Sequence, residues 1–104
     1  MFVKVYADHS SITLEDRDNF RAFKLVIMGN ASKLDEARRA LAGVAELTDD
    51  KTAWIFESAL RAFEGVANDP AWQQNVTTMI EKAKPHGWID ESRKAIRAHI
   101  EWQE

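Results

Sequence analysis

The feature that most constrains the fold is the run Ala95-Ile96-Arg97-Ala98-His99-Ile100-Glu101-Trp102, which alternates apolar and polar residues without a break. Ile96, Ala98, Ile100 and Trp102 fall on one side, and Arg97, His99 and Glu101 on the other. Side chains alternate across a strand with period two, whereas a helix repeats every 3.6 residues. Residues 95–102 are therefore predicted as a strand with one buried face and one polar face. This outweighs a helix capped by Asp90 over 91–102, and it obliges the chain to supply partner strands.

Other segments supply them. Residues 2–6 place Val3 and Val5 against Phe2, Lys4 and Tyr6, and residues 20–28 place Phe23, Leu25 and Ile27 against Lys24 and Val26 before Gly29-Asn30. Both are predicted strands, as are the aromatic and β-branched residues 52–57 and the short run 88–90. Helices over 14–28 and over 51–66 fit some of the same residues. Residues 8–19 are polar and acidic and are expected to form a long loop, or a loop with one helical turn capped by Thr13.

Three helices are expected. Ser32 is placed to cap a helix carrying Leu34, Ala37, Leu41, Val44 and Ala45 on one stripe, with Thr48-Asp49-Asp50 breaking it. Ser58 is placed to cap a brief second helix ending near Gly65. The third is the best marked: Asp69 as cap, Pro70 at the first helical position, then Trp72, Val76, Met79, Ile80 and Ala83 at helical spacing. Lys82 and Lys84 suit its last turn, and Pro85 and Gly87 stop it. Helices mixed with hairpins imply an α+β fold: one domain over 1–104 with a mostly antiparallel, four- to five-stranded sheet and about three helices on one face. The other face would carry Lys4, Tyr6, Lys24, Val26, Arg97, His99 and Glu101, either solvated or covered by a second copy.

Composition narrows function by exclusion. Cysteine is absent from the 104 residues, which rules out disulfides, thiolate nucleophiles and Cys-ligated zinc. The net charge is −3, and the basic pairs Arg38-Arg39 and Arg93-Lys94 are interleaved with acids, which disfavours nucleic acid. No apolar run approaches the roughly 18 residues of a membrane span. The start, Met1 to Tyr6, lacks the pattern of a secretory signal, so a soluble, cytoplasmic chain is expected. The four glycines, at 29, 43, 65 and 87, assemble no phosphate loop or dinucleotide fingerprint, and no G-x-S-x-G or HExxH motif occurs.

The candidate site residues are weighed against simpler roles. His99 can act as a general base or acid oriented by Glu101, with Arg97 holding an anionic substrate. The simpler reading is a charge ladder on an open sheet face. His9, His86, Trp88, Trp102 and Tyr6 are candidate ligand contacts, with Trp88 and Trp102 able to pair across the terminal hairpin. Packing is the simpler role for the tryptophans. His9, His86 and His99 lack the local spacing of a metal site, and no cofactor is expected. The expected function is a small interaction or small-molecule-binding module, homodimeric through the open sheet face or an edge strand. The alternative is a cofactor-independent isomerase, lyase or monooxygenase on a dimeric scaffold, acting on an aromatic or anionic metabolite.

Overall fold

The last strand organises the whole sheet. The computed structural model describes residues 1–7 and 9–104, with all of their side chains except those of His9 and Ser10. The elements are β1 (Phe2–Tyr6), β2 (His9–Glu15), β3 (Lys24–Met28), α1 (Leu34–Ala40), β4 (Ala45–Leu47), β5 (Thr52–Phe56), α2 (Glu57–Arg61), α3 (Pro70–Ala83), β6 (Ile89–Asp90) and β7 (Ala95–Gln103). At nine residues β7 outruns each of its partners. One edge pairs with β5 over Ala95–His99; the other takes β6 at Ala95–Ile96 and then β3 from His99 to Gln103.

The fold is α+β, but its sheet corrects the expected one. Seven strands form a curled mixed sheet of order β2-β1-β3-β7-β5-β4, with β6 also on β7. The pairs β1–β3 and β3–β7 are parallel and the others antiparallel. It is a mixed sheet of seven strands, with its centre paired in parallel, and not the expected mostly antiparallel sheet of four to five strands.

Two strands were hidden by composition. In the segment read as a polar loop, Ile12 and Leu14 are half-buried while Ser11, Thr13 and Glu15 face water, the pattern of an edge strand with little to bury. The stripe read as helical through Ala45 ends earlier. α1 stops at Ala40, Gly43 turns the chain at φ 83°, a region open to glycine, and Ala45 and Leu47 then alternate into the core. Asn30, rather than Ser32, caps this region, accepting from the Ser32 N–H at 2.9 Å. The parallel pairings join segments distant in sequence, and no local periodicity encodes their direction.

The register puts Val3, Val5, Leu25, Ile27, Ile55, Ile96 and Ile100 on one face, where Ala37, Leu41, Leu60, Trp72, Val76 and Ile80 from the helices complete one buried cluster. Opposite lies the mixed face, where Val26 is buried between its cross-strand neighbours Lys4 and Glu101. Lys4 lies over Tyr6, Lys24 over Phe2 and Arg93 over Trp54, each within 5.4–5.7 Å of the ring centroid. The long side chains of this face thus roof its own aromatics. Among the described residues no helix is long and apolar enough to cross a membrane.

Candidate functional site

The two strands that share one edge of β7 do not meet. β6 ends its pairing with Arg97 N–H donating to the Trp88 carbonyl at 2.8 Å, and β3 takes up the edge only at His99, opposite Lys24. A cleft of about 500 Å³ opens where they part. Because the sheet splits there, side chains of both faces border it: Ile96 and Ala98 from one, Arg97 and His99 from the other.

The first wall is the segment from Phe20 to Phe23, with Arg21 at its rim. Its approach is pinned by α3: the Trp72 indole N–H donates to the Arg17 carbonyl at 2.8 Å, and the Phe20 and Trp72 rings lie 6.0 Å apart. α3 forms as its sequence dictates. The Asp69 carboxylate accepts from Trp72 N–H at 3.1 Å, Pro70 occupies the first turn, and Trp72, Val76, Ile80 and Ala83 are buried.

The C-terminal half of α3 is the second wall, contributing Met79, Ile80 and Lys82. Beyond a 3₁₀ turn over Lys84–His86, Gly87 at φ 75° reverses the chain. His86 and Trp88 then stack with centroids 4.3 Å apart and planes at 18°. The next turn, from β6 into β7, is held by Asp90, whose carboxylate accepts from Ser92 Oγ at 2.7 Å and from Arg93 Nε at 2.7 Å. These bonds, the Ser92 hydroxyl first, hold its pKa down at about 2. Lys51 and Thr52 complete the rim, and the Asp49 carboxylate places both by accepting from their backbone N–H groups at 2.8 and 2.9 Å. Those same bonds lower the Asp49 pKa.

Trp88 is 45% exposed and is the one large apolar side chain among the described residues left so open. Full burial of that surface would add roughly 2 kcal/mol. A single exposed apolar residue is ordinary in itself; this one stands at the mouth of a cleft.

Charge sets the cleft apart. Among the described residues its border holds Arg21, Lys51, Lys82 and Arg97 with His86 and His99, and no carboxylate. Among the described residues none of the four Lys and Arg side chains has an ion-pair partner, in a chain whose net charge is −3. Clefts lined by one sign of charge over apolar walls focus the field and concentrate counter-ions.

A second cleft, of about 420 Å³, lies between α2 and the other flank of α3 and shares Ile80 with the first. Two of its three cations, Arg61 and Lys84, are paired from within, while Lys94 has no ion pair among the described residues. Arg61 pairs with Glu57 at 3.1 Å and donates to Thr77 Oγ1 at 2.8 Å; Lys84 pairs with Glu81 at 3.1 Å and Glu91 at 3.5 Å.

The candidates from sequence divide. Arg97, His99, His86 and Trp88 meet in the first cleft, and Thr52 and Lys24 are the cross-strand neighbours of His99. Glu101 does not line it. Its carboxylate accepts from the Gln103 amide and, at 3.3 Å, from Lys24 Nζ; these two contacts, in that order, lower its pKa. Trp102 donates its indole N–H to the Asp50 carbonyl at 2.7 Å and stands opposite Ile27, far along β7 from Trp88, so the two tryptophans do not pair across the hairpin. Tyr6 lies on the mixed face beneath Lys4. The His9 side chain and Asp8 lie outside the described residues. Among the described residues no three His, Asp or Glu side chains converge as metal ligands would.

Phe20, Phe23, Arg21, Lys51, Lys82 and Met79 were not singled out from sequence. Lys82 reads there as a complement to the α3 dipole, and Phe23 as a strand residue. The signal shared by Arg21, Lys51 and Lys82, cations without an ion-pair partner among the described residues, becomes visible only once the pairs elsewhere are known. No family model, no curated protein and no solved structure matches this chain.

Proposed function

We propose that the chain is a small-molecule-binding module whose ligand is an organic anion with an apolar body, taken up in the cleft between the Phe20–Phe23 segment, α3 and β7. One observation carries this: four cations and two histidines border the cleft, and among the described residues none of the four has an ion-pair partner and no carboxylate lines the cleft. Apolar side chains from Phe20, Phe23, Met79, Ile80 and Ile96 supply the rest of the border, which suits a ligand with few polar groups beyond its charged end.

The expected homodimer, where it forms through the open sheet face rather than an edge strand, would seat on aromatics that already lie under Lys4, Lys24 and Arg93. Catalysis by His99 has less to support it than binding does. The carboxylate expected to orient it is bonded to Gln103 and Lys24 instead.

A ligand that binds the folded chain alone raises its melting temperature, by about 2.7 kcal/mol of added stability at one hundred times Kd. Octanoate and 2-naphthoate are expected to raise Tm in a dose-dependent way, and octylamine and 2-naphthylmethylamine are not. Equal shifts for acids and amines, or none with millimolar acid, would overturn the proposal.

A further inference from the structure

We infer that the anion belonging to this cleft carries a planar aromatic ring, seated on the Trp88–His86 stack with its charged end at Arg97. This rests on the reading that the cleft binds organic anions, and it adds the class of body that the anion must have.

The ring seat follows from how the second wall is made. His86 and Trp88 lie nearly parallel at 4.3 Å, so the indole is already one half of a stacked pair, yet it remains the most open large apolar group among the described residues. Stacked π-systems add attraction beyond the area they bury, and a flat ligand extends the stack where a puckered one only covers it. The wall opposite offers two more aromatic rings, Phe20 and Phe23. A slot bordered by aromatics on both walls fits a flat body better than a flexible chain.

The charged end follows from the backbone. Arg97 N–H donates to the Trp88 carbonyl, so these two residues are fixed side by side across the β6–β7 pairing, and both border the cleft. A guanidinium presents a planar fork of donors that matches a carboxylate. His99, two residues on along the same face of β7, is the second donor in reach, and it stands opposite the Thr52 hydroxyl side chain. The order along the cleft is therefore ring at Trp88 and His86, carboxylate at Arg97 and His99.

The test compares two acids of equal charge and similar outline, 2-naphthoate and its saturated counterpart decalin-2-carboxylate, titrated into the full chain by calorimetry and by nitrogen–proton NMR. The aromatic acid is expected to bind about 2- to 12-fold more tightly, the range that stacking adds beyond burial. The indole N–H signal of Trp88 should move in that titration, while those of Trp72 and Trp102, bonded to the Arg17 and Asp50 carbonyls, should not. Trp88→Leu, at an exposed position, should erase the preference and bring the affinities of the two acids within about twofold of each other.

Equal affinities in the unaltered chain, an unmoved Trp88 signal, or a preference that survives in Trp88→Leu would overturn the ring seat while leaving anion binding intact. Failure of both acids to bind would remove the anion reading itself, and the ring seat with it.

Discussion

Two clefts flank the same helix, share Ile80 and differ little in volume, about 500 Å³ against 420 Å³. Both are rich in lysine and arginine. In the second, each of Arg61 and Lys84 meets a glutamate at 3.1 Å, so an incoming anion must compete with a charge already in place. In the first, among the described residues, no carboxylate lines the cleft or forms an ion pair with its lysines and arginines. The difference shows that the count of cations near a concave surface says little about its ligand; what decides is whether the chain has neutralised them itself.

The contrast can be attacked from several sides. Trp72→Ala should have the largest effect, lowering stability by about 3–5 kcal/mol in urea titrations, because it empties a core position and frees the Arg17 carbonyl. The wall carrying Phe20 depends on that ring, so anion binding should weaken with it even under conditions where the variant stays folded. Double reversal in the first cleft, Lys51→Glu with Arg97→Glu, should lower affinity for 2-naphthoate at least about tenfold, since each exposed charge contributes on the order of 1 kcal/mol at close range. Lys84→Glu with Lys94→Glu in the second cleft should leave that affinity within about twofold.

Gly87→Ala should cost roughly 1–2 kcal/mol, because an L residue is strained at φ 75° although its Cβ would meet nothing within 4 Å. The strain falls on the reversal that orients Trp88, so the second cleft should be less affected. Acid has a related local effect. The folded Asp90 pKa of about 2 lies below the ordinary carboxylate value of 3.8, so its contribution is present above that value and is lost as pH falls towards 2. Hydrogen exchange at Ser92 and Arg93, whose N–H groups it accepts at 3.1 Å each, should accelerate over that window once corrected for intrinsic rates; Asp90→Asn should flatten the dependence. Smallest of all, Glu81→Gln should change stability by no more than about 1 kcal/mol, as exposed ion pairs do.

How much of this was legible beforehand depends on the kind of order. α3 was readable because every signal agreed: cap, proline, stripe and stop all lie within eighteen residues of one another and need no tertiary context. β7 was readable because its alternation is unbroken. β2 was missed because an edge strand has only Ile12 and Leu14 to show for its buried side, and β4 because Ala45 and Leu47 follow a helical stripe across a glycine. The parallel pairing of β3 with β1 and β7 joins residues far apart in sequence, beyond any local pattern.

The site was legible in half. His86, Trp88, Arg97 and His99 stood out as unusual residue types near bends and on an open face. Arg21, Lys51 and Lys82 did not, because an unpaired cation differs from a paired one only through what folding brings to it. Glu101 illustrates the converse: its spacing from His99 suggested a partnership, and Lys24, seventy-seven residues away, was placed beside it by the parallel pairing of β3 with β7.

The most direct measurement is a nitrogen–proton NMR titration of the full chain with 2-naphthoate, following backbone signals on both flanks of α3. Shifts are expected at residues 20–23, 51–52, 86–88 and 96–99, saturating together and weakening with added salt, with the signals of 57–61 and 91–94 unmoved. Shifts centred on the second cleft, or none at millimolar acid, would contradict the claim that unpaired cations define the binding site.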